Sequence, residues 1–214
     1  MDFEKAGAYI ESLYEKGKLT QKQYTENTEL KDFGAVVDDD VARMLQVLIM
    51  VAKPGRILEI GTSIGFSTVM MAKAMKHYGG KIVTIELDPE VARQAVKNFE
   101  REGVKEQIEV RTGDARTIIS GMNEEFDLIF QDVGDKRLYH EMLEDYSRLL
   151  KPGGLLLAED TLFPVFDFGS GFGDWASICK SFDAFNRSIA GCLQFESTLL
   201  PIGDGLTVAV KKPN

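Results

Sequence analysis

From Pro54 onward, short apolar runs alternate with amphipathic stretches, and this alternation predicts the fold. RILEI at 56–60 reads as a strand, followed by a helix over about 65–77. KIVTIEL at 81–87 is a second strand, after which Val91, Ala92, Ala95, Val96 and Phe99 recur at helical spacing. QIEVR at 107–111 predicts a third strand, with a short helix after Asp114. FDLIFQ at 126–131 predicts a fourth, ahead of a helix with Tyr139, Met142, Leu143, Tyr146, Leu149 and Leu150 on one face. KPGG then turns the chain into a fifth strand, LLLAE at 155–159, and a helix is expected around 174–190. Strands that are apolar throughout, separated by helices, belong to a parallel sheet covered on both faces. The end departs from that pattern. LQFESTLL at 193–200 and LTVAVKK at 206–212 are joined by PIGDG, a hairpin connection that makes the last strand antiparallel.

The first 52 residues read as helices, an extension ahead of a domain at 53–214. Ile10, Leu13 and Tyr14 share one face; Val41, Met44, Leu45, Leu48 and Ile49 share another. Asp38, Asp39 and Asp40 precede the second of these helices and read as capping residues at its positive end.

Composition narrows the function. A net charge of −9 argues against nucleic acid or an anionic membrane as partner. Two cysteines, Cys179 and Cys192, exclude a disulfide framework or a four-cysteine zinc site and fit a reducing, cytoplasmic setting. The charged N-terminus is expected to be no signal peptide, and the apolar run at 47–52 is too short to span a bilayer.

Strand 56–60 runs into GTSIG, with Gly61 and Gly65 four apart at a helix start. Two readings stay open: a turn that brings backbone N–H groups to a ligand, or a close-packed strand-to-helix turn. Ser63 breaks the three-glycine dinucleotide fingerprint, which weakens an NAD-dependent oxidoreductase. Glu59 lies before the turn and Glu86 closes the second strand, where a carboxylate can accept from the vicinal hydroxyls of a ribose. Gly113, Asp114 and Ala115 close the third strand, where an acid and N–H groups can meet an adenine edge. Each acid alone is more often a solvated loop carboxylate or a helix cap; three in register beside a glycine turn point to a ligand. Asp132 ends the fourth strand, and Glu159 and Asp160 end the fifth. On neighbouring strands these carboxylates converge on one hard cation, Mg²⁺, Mn²⁺ or Ca²⁺, or else cap the following helices. Lys136 reads as a base or as a solvated lysine at a helix start.

ILEIGTSIGFST, VTIELDPEVARQA, GDA, FDLIFQD, LKPGGLLLAED and LLPIGDGLTVAVKK occur in that order over roughly 36–212. Together they resemble the S-adenosylmethionine-dependent O-methyltransferases of the catechol and caffeoyl-CoA type. The resemblance implies an α/β, doubly wound, seven-stranded, mostly parallel sheet with a reversed last strand. It places the methionine end of S-adenosylmethionine at Glu59, Gly61, Ser63, Gly65 and Ser67, the ribose at Glu86, and the adenine at Gly113, Asp114 and Ala115. Val37 matches a position whose backbone touches the cofactor, and Asp132 stands in both the cofactor and the metal sets. Asp132, Glu159 and Asp160 become the metal ligands, Asp132 and Lys136 the catalytic pair, and a small hydroxylated molecule the acceptor. A homodimer is implied, with the apolar faces of the N-terminal helices as contact.

Two departures qualify the likeness. The family has Asp-Asn where this chain has Glu159-Asp160. Lys136 and Tyr139 each fall one residue late after Asp132, with Gly134 as the apparent insertion, and this brings Asp135 into play as a substitute acid. A metal-independent enzyme and a non-catalytic nucleotide-binding protein are the alternatives these departures leave open. The segment 161–175, with Phe163, Phe166, Phe168, Phe172 and Trp175 among four glycines, reads either as a lid or as core or interface packing. His77 and His140 lie on predicted helices, far apart, and Lys97, Arg101 and Lys105 form a solvated face.

Overall fold

A computed structural model describes residues 3–14, 19–166 and 174–213. Three helices, α1 (Phe3–Tyr14), α2 (Gln21–Glu26) and α3 (Asp39–Ala52), lead into the alternating part. There β1 (Arg56–Ile60), α4 (Phe66–Met75), β2 (Lys81–Glu86), α5 (Pro89–Arg101), β3 (Ile108–Thr112) and α6 (Ala115–Ser120) form the first half. The second half comprises β4 (Phe126–Gln131), α7 (Leu138–Glu141), α8 (Leu143–Leu149), β5 (Leu150–Ala158), α9 (Trp175–Gly191), β6 (Phe195–Leu200) and β7 (Leu206–Lys211).

The strands form one sheet in the order β3-β2-β1-β4-β5-β7-β6. The first five strands in that order pair in parallel, whereas β7 runs antiparallel to both β5 and β6. The chain order therefore reverses between β1 and β4, and ligands of such sheets bind outside the carboxyl ends at this point. One apolar layer packs Ile57, Leu128, Phe130 and Leu157 against α3, α4 and α5. The other packs Leu58, Ile60, Ile129 and Leu156 against α6 to α9. Helix α4 is buried on nearly every side because it lies between the sheet and α3. Helix α5 shows the opposite pattern, with one apolar face, Pro89 in its first turn, and Asp88 accepting from the N–H groups of Glu90 and Val91.

Several boundaries differ from those the sequence predicts. Residues 27–38 are not helical. Their polar groups bond to other elements instead: Leu30 N–H donates to Gln94 Oε1 (3.2 Å), and Val36 O accepts from Gln21 Nε2 (3.2 Å). The face of Ile10, Leu13 and Tyr14 is exposed, as are Val47, Met50 and Val51 of α3. Strand β5 starts at Leu150 rather than 155, because Leu150 already pairs with Phe126 and the KPGG residues fall in the register shift before Leu155 pairs with Leu128. His77 lies in a turn past the end of α4. No helix among the described residues is long and apolar enough to cross a membrane.

Candidate active site

The β1–α4 turn is built from backbone geometry that its residues permit. Gly61 has φ +94°, and a Cβ there would lie 1.8 Å from the carbonyl oxygen of Asp132. Only a glycine lets the ends of β1 and β4 approach this closely. Gly65, at φ +88°, caps α4, and a Cβ on it would lie 2.3 Å from the Phe99 ring. It thus serves helix packing and does not line the cavity, whereas Gly61 does; at both glycines the absent Cβ permits a close approach. Ser63 takes φ +48°, donates its N–H to Glu86 Oε2 (2.8 Å) and its hydroxyl to Gly34 O (3.1 Å). The other Glu86 oxygen accepts from Asp88 N–H at 3.0 Å. Two backbone donors thus orient the ribose candidate without a cation.

Glu59 lies behind this turn. It is fully buried, and its carboxylate accepts from Ser67 Oγ (2.6 Å), Thr68 Oγ1 (2.5 Å) and Thr84 Oγ1 (2.6 Å). Burial pushes its pKa to about 7, against the opposing effect of those three hydroxyls. Neither Glu59 nor Ser67 lines the cavity; both brace the turn from within.

The cavity, about 770 Å³, opens along the carboxyl ends of β1 to β5. Gly61, Ser63, Glu86, Gly113, Asp114 and Ala115 line one end, with the nearly buried Val37 beside them. Asp114 also caps α6, accepting from Thr117 N–H at 3.1 Å. Asp132, Lys136, Glu159 and Asp160 line the same cavity toward β4 and β5.

These last three acids converge as the strand pairing requires. Asp132, Glu159 and Asp160 each offer a carboxylate oxygen, all within 4.8 Å of one another. Burial raises the pKa of Asp132, with Lys136 lowering it and Asp160 raising it. Burial and the neighbouring Asp160 and Asp132 raise that of Glu159 far more. Asp160 holds φ +65°, a left-handed conformation that Asp and Asn tolerate better than other side-chain-bearing residues. Lys136 is not a solvated lysine. Its side chain is 13% exposed, its ammonium contacts Asp160 directly, and Asp132 Oδ1 is 4.0 Å away. The rings of Tyr139, Phe163 and Phe182 surround it at 5.5–5.9 Å. The oxygen-only donor set fits a hard divalent cation.

Asp135 does not substitute for Asp132. It pairs with Arg137 and Arg116, which hold its carboxyl well below the usual range. Tyr139 is fully buried, in edge contact with Phe182 and Phe185. Phe163 packs on Phe182, Phe166 and Trp175, which assigns these three to packing against α9; Phe168 and Phe172 lie outside the described residues. Arg101 does more than face solvent: its guanidinium bonds Asn27 O and lies 5.0 Å from the centre of the Tyr24 ring. Lys97 and Lys105 make surface ion pairs with Glu29 and Glu100.

The cavity also collects residues that the sequence patterns did not mark. Asp38 occupies the N-cap position of α3 but makes no capping bond, and its carboxylate lines the cavity. Of the other two acids read as caps, Asp39 accepts from Gln21 N–H (2.7 Å), and Asp40 from Val41 N–H (2.7 Å) and Gly203 N–H (3.1 Å). Asp204, Phe33, Asp32, Asp88 and Arg116 are among the other additions. Asp38 follows Val37 directly and Asp204 sits in the PIGDG turn, so the only signal was adjacency to marked motifs.

The sheet order, the reversed β7 and a cavity spanning the oriented Glu86 and a strand-end acid cluster define a class I methyltransferase fold. The chain belongs to the O-methyltransferase family, whose model matches residues 10–212. A catechol O-methyltransferase of Niastella koreensis is 38% identical over 130 residues, covering 59% of this chain and 58% of its own. Tricin synthase 2 of Oryza sativa subsp. japonica is 31% identical over 180 residues, covering 78% and 60%. The chain thus spans less than two thirds of the length of either relative. The crystal structure of the O-methyltransferase TomG from Streptomyces achromogenes in complex with SAM superposes with a TM-score of 0.80 at 23% identity, over 100% of both chains. That of a Bacillus cereus O-methyltransferase in complex with SAH gives 0.76 at 25%, over 96% of each.

Proposed function

We propose that the chain transfers a methyl group from S-adenosylmethionine to an oxygen of a small, hydroxylated, catechol-like acceptor. The carrying observation is that one cavity joins the oriented Glu86 to the Asp132–Glu159–Asp160 cluster. In this proposal Glu86 accepts from the ribose hydroxyls, the Gly113–Ala115 segment borders the adenine, and Gly61, Ser63 and Val37 shape the methionine end. Glu59 and Ser67 keep that turn rigid from behind. Asp132, Glu159 and Asp160 hold a divalent cation, which when bound supplies Lewis acidity toward the acceptor oxygen. Lys136, with its side-chain nitrogen among three rings and beside Asp132 and Asp160, is the candidate to receive the acceptor's hydroxyl proton. Positioning does the rest, because sulfonium methyl transfer needs an in-line approach and no covalent intermediate on the protein. A second reading, metal-independent transfer, is favoured by the Lys136 ammonium already in contact with Asp160. Assaying methyl transfer to catechol with and without chelator decides between them. Loss of transfer with cofactor affinity intact supports the metal; unchanged transfer supports the lysine alone. Absence of any transfer by protein that binds S-adenosylmethionine overturns both. The proposal includes a reducing, cytoplasmic setting, supported by the free Cys179 and Cys192. It also includes a homodimer through the exposed Ile10 and Leu13 of α1 and Val47 and Val51 of α3, two helices that meet where Arg43 covers the Tyr14 ring at 4.6 Å. A monomer mass by light scattering at micromolar concentration would remove the dimer.

A further inference from the structure

Lys136 stands at the end of a stretch of chain that makes few bonds of its own. Asp132 N–H makes the last bond of that stretch to β1, donating to Ile60 O at 2.9 Å. Val133 and Gly134 make no hydrogen bond to the described residues, and a Cβ on Gly134 would meet nothing within 4 Å. What fixes Lys136 against Asp132 and Asp160 must therefore come from outside these two residues.

Part of the support is local. Asp135 O accepts from Leu138 N–H (3.1 Å), and the Asp135 carboxylate accepts from Arg137 N–H (3.2 Å), Nε (2.8 Å) and Nη2 (2.8 Å), which closes the entry to α7. These bonds move with the loop and give it no fixed point. Bonds from two other helices do. Arg116, in the first turn of α6, donates from Nη2 to Asp135 Oδ2 (3.2 Å) and from Nε to Glu141 Oε2 (3.0 Å). One guanidinium therefore grips α7 at both ends, at the residue before Lys136 and at the last residue of the helix. From α9, Ser181 Oγ donates to the Lys136 carbonyl oxygen at 3.1 Å. The Arg116 and Asp135 side chains are 41% and 30% exposed, so the ion pair adds little stability as such. Its use is directional, because the planar fork of a guanidinium fixes angle as well as distance.

We propose that Arg116, acting through Asp135 and Glu141, and Ser181, acting through the Lys136 carbonyl, are positioning residues that set Lys136 against the acid cluster. The proposal rests on the methyl-transfer reading above, in which Lys136 receives the acceptor's proton, and adds what holds that group in place. A lysine stem is flexible, so its nitrogen keeps one place only if the backbone beneath it does. A displacement of about 1 Å at a reacting group can lower a rate about a hundredfold. Arg116 follows Ala115 directly, so the segment proposed for the adenine and the proton acceptor share one anchor.

The test measures methyl transfer to catechol by the full chain with Mg²⁺ and saturating S-adenosylmethionine, per molecule that binds the cofactor by calorimetry. Arg116→Ala and Asp135→Ala should each lower kcat about tenfold, while KM for catechol changes less than about twofold. Arg116→Lys, which keeps the charge but loses the fork, should give an intermediate kcat. Ser181→Ala should lower kcat about threefold through its single hydrogen bond. In a Lys136→Met background, itself lowered in kcat, Arg116→Ala and Ser181→Ala should cause no further loss. A residue that acts through Lys136 then has nothing left to position. An unchanged kcat in Arg116→Ala and Ser181→Ala, a loss confined to KM, or an undiminished loss in the Lys136→Met background overturns the positioning role while leaving methyl transfer standing. Full activity of Lys136→Met does the same. Should Asp135→Ala not fold, the Arg116 and Ser181 variants carry the test. Absence of transfer by the unaltered chain with cofactor bound overturns the methyl-transfer reading and this proposal with it.

Discussion

The two ends of the cavity are held together in different ways. At the β1–β3 end the polar groups are satisfied locally. Ser63 and Asp88 N–H groups hold Glu86, three hydroxyls hold Glu59, and Asp114 caps its own helix. At the β4–β5 end the charges depend on each other across long stretches of chain. Asp132, Lys136, Asp160, Asp204 and Asp38 come from four separate segments, and Asp160 holds a left-handed conformation among them. A site whose groups are satisfied before the ligand arrives serves a ligand of fixed structure. A site with unbalanced charge depends on its ligand to complete it, and this is where substrates can differ between relatives.

Breaking the second end should have the largest effect. Asp132→Ala removes a candidate ligand and a partner of Lys136, and should lower transfer about a thousandfold while cofactor affinity changes little. Kinetics beside calorimetry checks this. A variant that loses cofactor binding as strongly as turnover would erase the division between the two ends.

The first end should reveal itself through pH. Glu59 titrates at about 7 in the fold against 4.5 as its ordinary value. The native state then binds more protons than the unfolded chain between those values. Its contribution to stability is complete below about 4.5 and is lost as pH rises through about 7, amounting to about 3 kcal/mol. Asp132 and Glu159 are raised as well and add slope of the same sign, so the comparison must be with Glu59→Gln. Denaturant unfolding at pH 5 and pH 8 should show a smaller loss in the variant. An equal loss in both would mean that Glu59 stays charged behind the turn.

This division also explains what was legible in the sequence. The parallel strands announced themselves as apolar runs, and the GTSIG turn, Glu86 and the GDA segment are local patterns within single strand–turn–helix units. The convergence of Asp132, Glu159 and Asp160 was legible because strand ends report neighbours once sheet order is known. Asp38 was not: a run of three aspartates before a helix looks like a cap, and only the fold shows two of them accepting backbone N–H bonds while the third turns to the cavity. Asp204 was hidden in a turn whose composition is explained fully by its hairpin. The aromatic segment left its two readings, lid or packing, undecided, because spacing alone does not choose; the fold packs Phe163 on Phe182, nineteen positions away.

Glu86 offers a sharper probe of the first end. Its carboxylate already accepts from two N–H groups, which leaves lone pairs for vicinal hydroxyls. Glu86→Ala should weaken S-adenosylmethionine binding by about 2 kcal/mol through lost charged hydrogen bonds. Ser63 N–H loses its acceptor in the same variant, so part of the loss reflects the turn. Unchanged affinity in a folded variant would take Glu86 out of the ribose site.

The smallest effect is expected at Asp160, where the chain departs from its family's residue type. Asparagine tolerates the left-handed backbone that Asp160 adopts at φ +65°, so Asp160→Asn should fold without new strain. It keeps one carbonyl oxygen for a cation but gives up a negative charge. Two consequences oppose each other. A bound divalent ion keeps more of its effective charge toward an acceptor oxygen, which favours transfer. Lys136 loses the charged partner it contacts most closely, which loosens the base. The net change in kcat with metal present should stay within about threefold, directed upward if the ion dominates, with metal affinity reduced. Titrating the variant with Mg²⁺ while following turnover separates the two terms. A loss of tenfold or more that added metal does not restore would show that the Lys136–Asp160 pair, rather than an ion, carries the second end of the cavity.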